Sequence, residues 1–172
     1  MGDYSIDRAG VLAIFEKRRS IRRFKIDDID DRLLEQIIYA GSLAPTARNV
    51  QPWHFIIIKD ADTRLEIARL AVDNAPFLKE CPVCIAVVCQ DTKYYLEDGS
   101  AATTQILLCA AGFGIGGCWV AADKKEYCST AEEILKIPRQ MKLFSLVALG
   151  YPKEIPKVSK KPIAELIHKE KF

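Results

Sequence analysis

Pro82-Val83-Cys84-Ile85-Ala86-Val87-Val88-Cys89-Gln90 is an almost unbroken apolar run, as expected of a central strand covered on both faces. Lys142–Gly150 (KLFSLVALG) reads as a second buried strand, and Trp53–Lys59 (WHFIIIK) as a short β-rich one. Helical spacing surrounds them. Residues 7–17 place Val11, Ile14 and Phe15 on one face. Residues 30–41 do the same with Leu33, Leu34, Ile37, Ile38 and Gly41, with Asp28 or Asp30 as cap and Pro45 as a limit. Residues 63–72 return to helix, and 99–113 form a small-residue, Ala-rich helix suited to close packing. A further helix is expected to open at Ser129 or Thr130, with Glu132 and Glu133 in its first turn, and to end near Pro138. Helices first, then strands separated by helices, predict an α+β or α/β sandwich around one sheet.

The tail from Tyr151 differs. It carries Pro152, Pro156 and Pro162 with Lys153, Lys157, Lys160 and Lys161, and Pro162 is placed to open a short last helix, PIAELIH. No internal repeat or linker interrupts 1–172, so one domain is expected, with 151–172 as its C-terminal arm.

The chain has 172 residues, 49% of them hydrophobic and 28% charged, with a net charge of +2. That suits a globular protein with a sizeable core and gives no global field for nucleic acid. No apolar run is long enough to cross a membrane. The start, Met1-Gly2-Asp3-Tyr4-Ser5, lacks the basic and apolar blocks of a signal peptide, so a cytoplasmic location is expected. The six cysteines are then reduced and act as small buried hydrophobes. Cys81-x2-Cys84-x4-Cys89 lies along a strand, where Cys84 and Cys89 should point to opposite faces, which disfavours a metal cluster.

Arg18-Arg19-Ser20-Ile21-Arg22-Arg23-Phe24 concentrates four arginines and a hydroxyl. Guanidinium forks match phosphate oxygens in a bidentate way; taken alone, a solvated basic helix end describes the cluster better. Pro45-Thr46-Ala47-Arg48-Asn49-Val50-Gln51-Pro52-Trp53 is a polar loop entering an apolar strand. Asn49 and Gln51 carry donors and acceptors able to read the edge of a heterocycle. Gly112-Phe113-Gly114-Ile115-Gly116-Gly117 satisfies G-x-G-x-x-G, but a helix precedes it, so it reads instead as a helix stop followed by closely approached backbone. His54 and His168 are the only histidines. With no evident acid–base set, chemistry would fall to a cofactor.

In this order, RRSIR at 18–22, PTARNVQPWHF at 45–55, GFGIGGCW at 112–119 and ALGYP at 148–152 resemble the nitroreductase family of FMN-dependent flavoproteins. The resemblance implies an α+β three-layer sandwich, its central and mainly antiparallel sheet flanked by helices. It also implies an intertwined homodimer with FMN at the subunit interface. By position it assigns Arg18, Arg19, Ser20 and Arg22 to one FMN-binding stretch. Pro45, Thr46, Ala47, Asn49 and Gln51 match the loop reaching the flavin from the other subunit. Asn74 matches a further polar contact, and Val120, Ala121 and Ala122 the backbone beside the ring. Lys160 and Lys161 match a C-terminal contact to the phosphate. Thr46 stands where the family often has Ser, and Ala121-Ala122 where some members have Glu-Gly. The short 89–99 stretch leaves no room for the lid of larger members.

What the resemblance implies chemically is NADH or NADPH as donor, a nitroaromatic, quinone or similar small-molecule acceptor, and ping-pong turnover. Arg22 would serve as the cation at the pyrimidine end, and a backbone N–H from 120–122 would face N5. No side chain is assigned as catalytic. Nucleic acid and membrane are not expected partners. Two alternatives stay open: a flavoprotein of this fold with another reaction (dehalogenation, dehydrogenation or flavin breakdown), and a nonenzymatic module whose basic tail docks an acidic partner or RNA.

Overall fold

A computed structural model describes residues 8–172; Met1–Ser5 and the first residue of the predicted 7–17 helix lie outside them. The element order is α1 (Arg8–Lys17), α2 (Asp31–Ser42), β1 (Trp53–Ile58), α3 (Ala61–Leu70), β2 (Val83–Gln90), α4 (Tyr95–Gly112), β3 (Gly116–Ala121), α5 (Cys128–Ile134) and β4 (Met141–Gly150). Short 3-10 turns fall at Ala47–Asn49, Pro76–Lys79 and Ile163–Glu165. The strands form one antiparallel sheet in the order β1-β2-β4-β3. This is the expected α+β sandwich.

β2 is buried along all but its last residue, as its apolar run requires. Period-two alternation then splits the core. Val83, Ile85, Val87 and Cys89 pack with Leu34 and Ile37 of α2 and Ile106 of α4. Cys84, Ala86 and Val88 pack on the other face with Ile67 of α3, Ala131 of α5, Ile21 and Phe24. Cys84 and Cys89 therefore do face opposite ways. All six cysteines are free, and burial pushes the Cys81 and Cys89 thiols up to about 12.

Local chemistry explains most boundaries. Asp30 caps α2 by accepting the Arg32 N–H at 2.9 Å. Gly41 lets α2 close on α4, since a Cβ there would stand 2.7 Å from Ile106 Cγ1. α4 ends in a Schellman turn: Gly114, at φ 75, donates its N–H to Ala111, and the Ile115 N–H reaches the Ala110 carbonyl at 2.8 Å. The glycine motif is thus a helix stop that feeds a strand.

Three expectations need correction. α4 begins at Tyr95, not at Gly99; Gly99 lies inside the helix, where a Cβ would stand 2.7 Å from the Phe144 ring, so the glycine serves close packing and marks no boundary. α5 begins at Cys128 with no side-chain cap from Ser129 or Thr130, and Glu132 accepts the Leu143 N–H at 2.9 Å across to β4. The run after the glycines, to which no element was assigned from sequence, is a strand, β3. The last helix shrinks to the Ile163–Glu165 turn, because Ile163, Leu166 and Ile167 meet no surface of their own chain and stay 67%, 55% and 58% exposed. Among the described residues no helix is long and apolar enough to cross a membrane.

Gly150 closes β4 against Pro82 and Phe24. A Cβ would lie 2.6 Å from Pro82 Cδ and 2.8 Å from Phe24 Cδ1, and neither ring can swing aside. Gly150→Ala is therefore expected to destabilise the fold by about 1–3 kcal/mol, read as a lower melting temperature. An unchanged melt would mean that the Pro82 and Phe24 rings can give way to a methyl group.

Candidate active site

Beyond α1 the chain turns extended and lies along the free edge of β3. The Ile21 N–H bonds the Gly117 carbonyl at 3.0 Å, and Ser20 bridges Gly117. Phe24 bridges Pro152, while Lys25 and Lys153 donate to the Tyr151 and Arg23 carbonyls. Ile21 and Phe24, 4% and 1% exposed, anchor the segment in the core and fix where the arginines emerge.

The four arginines then separate by task. Arg19 donates to the Glu16 and Arg18 carbonyls at the end of α1, a helix-capping role. Arg23 pairs with Glu154 at 3.6 Å on the surface. Arg18 and Arg22 have no carboxylate partner among the described residues. Both lie in electrostatic reach of the Cys118 thiol: burial raises its pKa, and Arg22, Arg18 and a Ser20 hydrogen bond oppose the rise. Arg18, Ser20 and Arg22 thus all belong to the segment that runs along β3 near Cys118, and their donors are of the kind that suits a phosphate. Arg22 also covers the Phe77 ring, its guanidinium 5.9 Å from the centroid. Asn74 lies in the turn three residues earlier, exposed, with its N–H on the Ala71 carbonyl. That turn therefore sits on the same side as Arg22.

β3 supplies the next wall. The Ala122 and Asp123 N–H groups point inward to the Phe144 carbonyl, at 3.4 and 3.1 Å. Strand alternation turns the neighbouring Ala121 outward, where the Tyr127 hydroxyl holds the Ala121 carbonyl. Of Val120, Ala121 and Ala122, it is Ala121 whose N–H faces the free edge. Val120 and Ala122 are buried.

The 45–51 loop is built tightly. Arg48, Asn49 and Gln51 adopt φ of 56, 57 and 51, a left-handed conformation rare outside glycine. Thr46 Oγ1 accepts the Gln51 N–H at 3.3 Å, the Gln51 amide reaches Asn49 Oδ1 at 3.1 Å, and the Ala47 N–H meets Asp98 Oδ1 at 3.2 Å. Pro45 is exposed beside them. This loop enters β1, three strand spacings or about 14 Å from β3, and the arginine segment lies one spacing beyond β3. The loop also lies at the opposite end, since Trp53 is level with Lys142 through Cys89, and Gly117 with Leu149. Within one chain the two groups do not meet.

Lys17, Arg18 and Arg19 line a groove of about 960 Å³ with Gly116, Gly117 and the arm residues Ile155 to Ser159. Lys160 and Lys161 follow on the arm, both exposed. Sequence reasoning missed Phe77, Tyr127 and Asp98, which touch or hold candidate residues. Only Asp98 left a signal, as an acid heading the uncharged run 99–112.

A nitroreductase family model matches residues 15–87. An Archaeoglobus fulgidus protein named "Putative NADH dehydrogenase/NAD(P)H nitroreductase" is 38% identical over 151 residues, 83% of this chain and 86% of that one. An iodotyrosine deiodinase of Thermotoga neapolitana is 27% identical, with 80% and 86% covered. A solved FMN-dependent nitroreductase of Clostridium difficile superimposes with a TM-score of 0.88 at 26% identity, covering 94% of this chain and 99% of that one.

Proposed function

Since the chain belongs to the nitroreductase family of oxidoreductases, we propose that it is an FMN-dependent, NAD(P)H-consuming enzyme that works as a homodimer in the cytoplasm. One observation carries this reading: the segment that bears Arg18, Ser20 and Arg22 is pinned along the edge of β3, and among the described residues neither Arg18 nor Arg22 has a carboxylate to neutralise it. The donor set fits a phosphorylated flavin. Arg18 and Ser20 would hold the phosphate, with Lys160 and Lys161 closing from the arm. Arg22 places a cation where negative charge would collect at the pyrimidine end. The outward Ala121 N–H offers a donor to the ring, and Asn74 a further polar contact. FMN held by these residues would supply the redox chemistry that links NADH or NADPH to an oxidised acceptor, the two substrates using the same open site in turn. No side chain is assigned to proton transfer, which water can serve.

The opposite-corner placement of the arginines and the 45–51 loop supports the dimer. A pocket using both needs Thr46, Ala47, Asn49 and Gln51 from a second copy. An apolar groove of about 500 Å³, lined by Val11, Phe15, Leu43, Leu108 and Phe113, offers surface for that contact. Residues 91–94 join β2 to α4 directly, which favours an open site accepting varied acceptors. The free cysteines agree with a reducing compartment.

Purified protein should be yellow, with a flavin absorbance band. Anaerobic mixing with NADH and with NADPH should bleach it, and nitroaromatic, quinone and iodinated phenol acceptors should restore the band at rates that rank the acceptor class. Colourless protein that takes up no added FMN would end this reading.

A further inference from the structure

We propose that Asp98 is the positioning residue that holds the 45–51 loop in the shape it offers to the flavin of the partner subunit. The flavin part rests on the function proposed above; the tether does not.

Asp98 is 4% exposed in the first turns of α4. Among the described residues no lysine or arginine pairs with it. Burying a carboxylate without a cation is costly unless hydrogen bonds compensate, and a place near a helix N-terminus offsets only part of that cost. An acid serving only the helix dipole gains nothing from burial. Asp98 instead accepts the Ala47 N–H at 3.2 Å, tying positions 51 residues apart. Its charge is felt by Cys89, the strand partner of Trp53, so it stands where the loop enters β1.

The loop needs such a hold. Three non-glycine residues, Arg48, Asn49 and Gln51, sit at positive φ, a conformation that persists only when its surroundings impose it. The Thr46–Gln51 and Asn49–Gln51 bonds are internal to the loop. They shape it but do not attach it to the body of the protein. Among the described residues, Ala47–Asp98 is the side-chain bond that does so.

The test is amide exchange by NMR together with FMN titration, on the full chain. In the wild type the Ala47 amide should exchange slowly for a surface loop, well below the Arg48 amide. Asp98→Ala should speed exchange across 45–52 and weaken FMN binding, each by about tenfold or more, while β2 and β4 amides stay protected. Asp98→Asn, whose amide oxygen accepts the same bond, should restore both to within about threefold. Wild-type exchange in Asp98→Ala, or an Asn variant as impaired as Ala, overturns the proposal. If Asp98→Ala does not fold, the wild type still decides: an Ala47 amide as fast as Arg48 overturns the tether. A wild type that binds no FMN removes the flavin role and the functional reading, and the exchange data alone then support or overturn the tether.

Discussion

The Arg18→Ala, Arg22→Ala double variant is expected to lose FMN affinity by about a hundredfold or more. Each charge-assisted contact to an anion is worth about 1.5–3 kcal/mol, and tenfold in affinity is about 1.4 kcal/mol. Two such contacts on one ligand couple, so their losses fall short of a simple sum. The fold should survive, because among the described residues neither arginine has a carboxylate partner to strand. Removing positive charge beside Cys118 would only reinforce the upward push that burial gives its thiol. Arg23→Ala is the control. Its pairing with Glu154 at 3.6 Å, with both side chains mostly in water, contributes little, and FMN affinity should hardly move. Lysine at 18 and 22 should recover part of the loss, since it restores charge without the planar fork. Fluorescence quenching of FMN reads all four proteins. A double variant that binds FMN as the wild type does would remove this pair from the site.

The control also shows where sequence reading stops. Four arginines around a serine read, taken alone, as a solvated basic helix end; the resemblance made them a candidate anion site, and the chemistry of each is the same. What separates them is their neighbours: the end of α1 takes Arg19, Glu154 takes Arg23, and β3 gathers Arg18 and Arg22 beside Cys118. Those neighbours come from chain distances that periodicity does not reach. The sheet was legible where side chains alternate, so Cys84 and Cys89 fell on opposite faces as expected. It was illegible where glycines begin a strand. Gly116 and Gly117 lack β propensity, yet Ile21 Cγ1 and Leu107 Cδ2 each come within 2.6 Å of where a Cβ would sit, and close packing overrides propensity. Gly99 misled in the same way, since a glycine looks like a boundary until the Phe144 ring beside it is seen. The loop at 45–51 was legible as polar, but its place at the far corner of the sheet was not. That place turns a cofactor question into an assembly question.

Ending the chain after Glu154 is therefore expected to have the largest effect on assembly. The bonds that dock the start of the tail all lie before that point: Phe24 bridges Pro152, Lys25 donates to Tyr151 and Lys153 to Arg23. The body of the protein should stay folded, with its sheet and both cores intact. What is lost is a run of apolar side chains that their own chain leaves in water, with Ile155 68%, Ile163 67% and Phe172 106% exposed. Each such side chain buried on a partner contributes about 1.5–3 kcal/mol before the cost of ordering the arm. Losing several of them should raise the dimer dissociation constant by orders of magnitude. Sedimentation at micromolar concentration should show a dimer for the full chain and a monomer for the shortened one. FMN should leave with the partner, because Lys160 and Lys161 go with the arm and the second copy's Asn49 and Gln51 go with the dimer. A shortened chain that stays dimeric and yellow would show that the arm wraps nothing. A full chain that is monomeric yet holds FMN would show that the arginines complete their site without a second subunit.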